Sequence, residues 1–252
     1  MKLFTLSIEP LPTQLNEITD ALRNPAHEAW FAGLTNRLLL EALSHVEVTR
    51  SNPFGFLLRK SVLRMPIAYA KPVRGLLGPY FGAGDVEPIV ADFAASIASR
   101  AEHQTIPFLS ALCAEIHRRM RHTRRDGESW SAEKILAEGT GACRDVAILF
   151  VACCRSQGLA ARFTSGYLQV AEPTPKEPDE LHAWAEIYLE GAGWIAFDPT
   201  EGLAVSDRHI AVASAPDIQA AAPVSGTYRS SAATSKLSTK VSIKDYANIR
   251  GG

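Results

Sequence analysis

Nine consecutive residues, Val146 to Cys154, are apolar without interruption. At the helical period this stretch is apolar on every side, and such a helix is stable only when protein surrounds it. Gly139 and Gly141 precede it, and Gly158 stands where a C′ glycine closes a helix. The fold must therefore be built around one central helix. Cys143 opens that helix.

The flanking segments say what surrounds it. From Glu87 the apolar spacing is helical, with Ile89, Phe93 and Ile97 at i, i+4 and i+8. A second helix follows Pro107, with the stripe Phe108, Leu109, Leu112, Cys113 and Ile116. It ends in the basic cluster Arg118 to His122, where cations suit the helix dipole. A short helix runs from Trp130 to Leu136, with Ser131 as N-cap. Beyond Gly158 the pattern is that of strands: Ala161 to Val170, His182 to Leu189, Trp194 to Asp198, Arg208 to Val212 and Leu237 to Lys244. The first 75 residues also read as β-rich, with strands at Leu3 to Ile8, Glu28 to Phe31 and within Thr35 to Thr49. Met65 to Gly84, rich in Pro and Gly, reads as a linker, and Pro173 to Asp179 as an exposed loop. The expected fold class is α+β. The expected domains are a β-rich N-terminal domain at 1–75, a core at 85–215, and an extension at 216–252 with a terminal strand.

Composition narrows the function. Lys and Arg number 26 against 27 Asp and Glu, a net charge of −1. That leaves no basic field for non-specific nucleic-acid binding, so no nucleic-acid partner is expected. No apolar run is long enough to span a membrane, and the first ten residues meet Glu9 and Pro10 too early for a signal-peptide core. The four cysteines, Cys113, Cys143, Cys153 and Cys154, read as free thiols in a reducing, cytoplasmic setting. No Cys-x-x-Cys pair and no Asp-rich loop suggests a metal, and no cofactor is expected.

One thiol differs from the others. Cys143 at a helix N-terminus meets unpaired N–H groups and the positive end of the dipole, both of which favour the thiolate. The glycines before it leave room for a substrate backbone, and its own N–H suits an oxyanion. Cys153 and Cys154, mid-helix among apolar residues, read as packing. His182 opens one strand and Asp198 closes the next. For both side chains to share a face, the intervening loop must hold an odd number of residues or the ladder must contain a bulge. Glu190-Gly191-Ala192 satisfies this if Leu189 lies opposite Gly193. Nucleophile, base and orienting acid then occur in the order that acyl transfer requires.

The segments Gly-Thr-Gly-Ala-Cys143-Arg-Asp, Gly166-Tyr167, His182-Ala183-Trp184 and Trp194-Ile195-Ala196-Phe197-Asp198-Pro199-Thr200 resemble the transglutaminase-like superfamily. Asp207 to Val212 and Val48 to Leu58 resemble its bacterial branch, in which a β-rich domain precedes the core. The resemblance implies a papain-like core, a nucleophile-bearing helix packed on an antiparallel sheet, with Cys143 as nucleophile, His182 as base and Asp198 as orienting acid. Trp130 is the side-chain candidate for a second oxyanion donor beside the Cys143 backbone N–H. Tyr167, Trp184 and Arg208 are the expected substrate contacts, and Asp145 reads as structural. The N-terminal sheet is expected either to lack strands or to borrow them from a second copy, the latter giving a homo-oligomer. The expected activity is hydrolysis of a peptide, isopeptide or side-chain amide through a thioester, with a protein or peptide as partner. The alternatives are crosslinking of a glutamine to an amine, or a non-catalytic interaction module.

Overall fold

The computed structural model describes residues 2–82, 84, 86–125, 127–170, 180–229 and 236–244. It divides into two compact units, Met1–Ser51 and Asn52–Gly252.

The first unit is made of two antiparallel pairs. Strand β1 (Leu3–Glu9) pairs with β4 (Leu39–His45), and β2 (Gln14–Thr19) with β3 (Pro25–Trp30). Alternation works in β1, where Phe4, Leu6 and Ile8 turn inward and the residues between them are exposed. The β2–β3 turn is closed by Asp20, whose Oδ1 accepts from the N–H groups of Leu22 and Asn24 at 2.8 and 2.7 Å. The expected strand within 35–49 is confined to Leu39–His45, and Val46, Val48 and Thr49 lie outside it. Strand β2 has no counterpart in the sequence reading, because Gln14, Asn16 and Glu17 hide its period.

In the second unit, the stretch from Met65 to Gly82 is not a linker. Val62, Met65, Ile67, Tyr69 and Leu77 are buried in the main core. The Tyr69 hydroxyl donates to the Tyr188 carbonyl at 2.9 Å and accepts from Ala160 N–H at 3.2 Å. The prolines and glycines here break regular structure, leaving only short helical pieces such as α1 (Lys71–Leu76), without keeping the chain on the surface.

Next come α2 (Pro88–Arg100), α3 (Thr105–Arg119), β5 (Arg121–His122), α4 (Ala132–Glu138), β6 (Thr140–Gly141) and α5 (Cys143–Ser156). Ser131 Oγ caps α4 by accepting from Lys134 N–H at 3.2 Å. Helix α5 is the central one: Val146, Ala147, Leu149, Phe150, Cys153 and Cys154 are all at most 1% exposed. Helices α2, α3 and α4 pack against it, as does a sheet of β7 (Ala161–Leu168), β8 (Glu180–Leu189), β9 (Gly193–Asp198), β10 (Leu203–Ala204) and β11 (His209–Ala215). The strand order is β10-β9-β8-β7-β11, antiparallel throughout. Leu189 pairs with Gly193 around the three-residue loop Glu190–Ala192, the register expected above. Residues 237–244 form no strand. The 173–179 loop lies outside the described residues. Among those described, no helix is long and apolar enough to cross a membrane.

Candidate functional site

Cys143 is the first residue of α5, where its N–H has no acceptor within the helix. Just before it, Asp145 folds back over the helix start and accepts from Ala142 N–H at 3.0 Å. Arg125 grips the same carboxylate at 2.9 and 3.0 Å, and the N–H of Trp130 adds a bond at 3.2 Å. Asp145 is fully buried, so its charge is matched locally and the thiol beside it is not opposed by a bare anion.

This arrangement reassigns the two glycines. Gly139 takes the left-handed conformation, φ 62°, that closes α4. A side chain on Gly141 would meet the Asp145 Cβ at 3.0 Å. Both are therefore needed to bring the helix start and its cap together, and the space above Gly141 belongs to Asp145 rather than to a substrate backbone.

The partners of the thiol come from two directions. His182 arrives from β8, and His122 from β5, a two-residue parallel ladder that sets His122 opposite Gly141. Burial pushes the Cys143 thiol up, but the adjoining imidazoles of His122 and His182 outweigh it and bring its pKa down to about 7. The other three thiols are at most 1% exposed, and burial holds each well above the ordinary value.

His182 Nε2 lies 2.6 Å from Asp198 Oδ2. Asp198 closes β9, and its Oδ1 accepts from the N–H groups of Thr200 and Glu201 at 2.8 and 3.1 Å. The turn after it is pinned by His117, whose Nδ1 is 2.7 Å from the Thr200 carbonyl. Burial penalises both charges of this pair, yet their contact prevails. The imidazolium is held well above its ordinary range and the carboxyl well below its own. These shifts favour a thiolate and an imidazolium over the neutral pair, beside an ionised carboxylate.

Two imidazoles were missed by the sequence reading. The sequence puts His122 in the last turn of α3, but that helix ends at Arg119 and the next residues leave it as β5. Only the pairing with distant Gly141 brings it to the thiol, and no local pattern reveals that. His209, at the start of β11, lies 2.9 Å from the same Asp198 Oδ2. It sits inside the Asp207–Val212 segment noted above, which was its one visible signal. His182, Asp198 and His209 could in principle ligate a metal, since their polar atoms lie within 4.8 Å of one another. Separations of 2.6 and 2.9 Å are those of shared protons, however, and ligands about 2.1 Å from one tetrahedral ion stand farther apart.

The remaining expected site residues occupy other places. The Trp130 ring is flanked by the Arg125 guanidinium at 4.3 Å and the Lys134 ammonium at 4.4 Å, a cation–π arrangement at the entrance to α4. Trp184 is 1% exposed and meets the His209 ring nearly edge-on, at 81° and 5.2 Å. It forms the wall behind the imidazoles and has no face left for a substrate. Tyr167 is half-buried on β7 opposite Ile210. Arg208 is on the surface, 3.7 Å from Glu201.

This order of elements, a thiol on a buried helix and an imidazole and carboxylate on adjacent strands, can be compared with known proteins. Residues 91–199 match the family model of the transglutaminase-like superfamily core. That segment is similar to the transglutaminase-like core. The chain resembles in fold a candidate cysteine protease from Cytophaga hutchinsonii, with a TM-score of 0.59 and 18% identity over 88% of this chain and 72% of that one. An uncharacterized protein of Mycobacterium bovis is 32% identical over 123 residues, 46% of this chain and 39% of its own length. Another from Mycobacterium leprae is 31% identical over 97 residues, 37% of this chain and 34% of its own. The match thus spans little more than a third of these curated relatives.

Proposed function

We propose that this protein is a cysteine-dependent acyl-transfer enzyme that hydrolyses a carboxamide of a protein or peptide through a thioester. The observation that carries the reading is the placement of the Cys143 thiol at the start of α5 beside the imidazoles of His122 and His182, the second of which rests on a buried carboxylate. The Cys143 thiolate attacks the carbonyl carbon, and the oxyanion forms near the N–H groups at the start of α5. The His182 imidazolium gives its proton to the leaving amine as the C–N bond breaks, which leaves a thioester and a neutral imidazole. His182 then takes a proton from water, the hydroxide attacks the thioester, and the C–S bond breaks. A carboxylic acid leaves and the thiolate is restored. Asp198 holds His182 in the orientation both halves need.

Hydrolysis is favoured over transfer to an amine because water needs no second binding site. All four cysteines are unpaired, which supports a reducing, cytoplasmic setting. Mass spectrometry of a peptide library treated with wild type and Cys143→Ala, with and without a primary amine, tests the reading. Cleaved or deamidated peptides are expected with wild type alone. Amine adducts would shift the reading to transamidation, and identical spectra for the two proteins would overturn it.

A further inference from the structure

Asp198 carries more donors than the orientation of His182 requires. Its Oδ1 is held by two backbone N–H groups, and its Oδ2 is shared between His182 Nε2 at 2.6 Å and His209 Nε2 at 2.9 Å. His209 is buried at the start of β11 and packs against Trp184. It lies outside the 91–199 segment matched by the family model. Its Nδ1 is buried without a hydrogen-bond partner, so Asp198 is what the ring holds.

We propose that His209 is a positioning residue for the reaction: by donating its Nε2–H to Asp198 Oδ2, it divides the charge that His182 feels and lets His182 release its proton as well as hold it. This rests on the reading of Cys143 as nucleophile and His182 as base. The two halves of the reaction make opposite demands on His182. Acylation needs an imidazolium to protonate the leaving amine, and deacylation needs a neutral imidazole to take a proton from water. A buried carboxylate with His182 as its sole side-chain donor would keep that proton too firmly for the second half. Since the backbone donors on Oδ1 already fix the carboxylate, loss of His209 changes the charge facing His182 more than the geometry.

The other groups about this pair do not supply that charge division. Cys143 faces His182 from α5, and His122 faces the thiol from β5. Cys113 of α3 donates its thiol to the Asp198 backbone carbonyl at 3.3 Å and not to the carboxylate. Glu201 in the turn is 3.7 Å from Arg208 at the surface.

The test uses the full chain labelled with ¹⁵N-histidine, as wild type, His209→Phe and His209→Gln. Phe keeps a ring against Trp184 and has no donor, whereas Gln offers an N–H of similar reach. In wild type, NMR should show His209 as the Nε2–H tautomer. The titration midpoint of His182 should rise in His209→Phe by about one pH unit, a tenfold tighter proton, and return toward wild type in His209→Gln. A His209 Nδ1–H tautomer in wild type, or a His182 midpoint unmoved in His209→Phe, would overturn the proposal. The tautomer decides the matter even if the Phe variant fails to fold. Iodoacetamide mapping of wild type keeps the two questions apart: absence of selective labelling at Cys143 would sink the catalytic reading, while the tautomer would still report on His209.

Discussion

Four thiols in one chain make an internal experiment. Cys113, Cys153 and Cys154 lie in apolar surroundings that raise their pKa, and Cys143 alone combines partial exposure with two imidazoles. Iodoacetamide near neutral pH should therefore modify Cys143 well ahead of the rest, as read by peptide mapping. Comparable labelling of Cys113 in the folded protein would contradict that account. His122 contributes from outside the Cys143–His182–Asp198 set. With His122→Ala the thiol pKa should move up, and the alkylation rate at neutral pH should fall about fivefold for a rise of roughly one unit. An unchanged rate would confine the activation of the thiol to His182.

Among the elements, the β8–β7–β11 part of the sheet aims His182 and His209. Gly166 on β7 lies opposite His182 on β8, and Trp184 passes over it toward His209. A Cβ at Gly166 would sit 2.6 Å from the Trp184 ring and would also collide with the Ile210 carbonyl. Gly166→Ala should cost about 2 kcal/mol or more as overpacking, visible as a lower Tm. A variant as stable as wild type would show that Trp184 has freedom to move. The hairpin that brings the His182 and Asp198 side chains together was legible because strand alternation and an odd glycine loop leave few registers. The central helix was legible because nine apolar residues admit no exposed face. By contrast β5 and β6 are two residues each, and their pairing joins segments far apart in sequence. The 65–84 stretch misled because proline and glycine mark irregular backbone, which is not the same as exposed backbone. Leu237 to Lys244 has strand-like composition but takes part in no strand among the described residues.

For the whole molecule, the buried His182–Asp198 pair links stability to pH. Asp198 has its pKa lowered by folding, so its contribution is complete above the ordinary carboxyl value of 3.8 and drains as pH falls below it. His182 has its pKa raised, so its contribution is complete below the ordinary 6.5 and drains as pH rises toward the folded value. Asp198→Asn should therefore lose about 2 kcal/mol or more in the window between those two values and less on either side, as read from Tm across pH. A penalty independent of pH would mean that the pair is not charged in the fold. The central claim, that the fold keeps Cys143 as a thiolate for acyl transfer, is tested most directly by its ultraviolet thiolate absorbance. That absorbance is taken across pH as the difference between wild type and Cys143→Ser. The account predicts a midpoint at about 7, moving upward in His182→Ala. A wild-type midpoint at the ordinary thiol value of about 9, unmoved by His182→Ala, would contradict it.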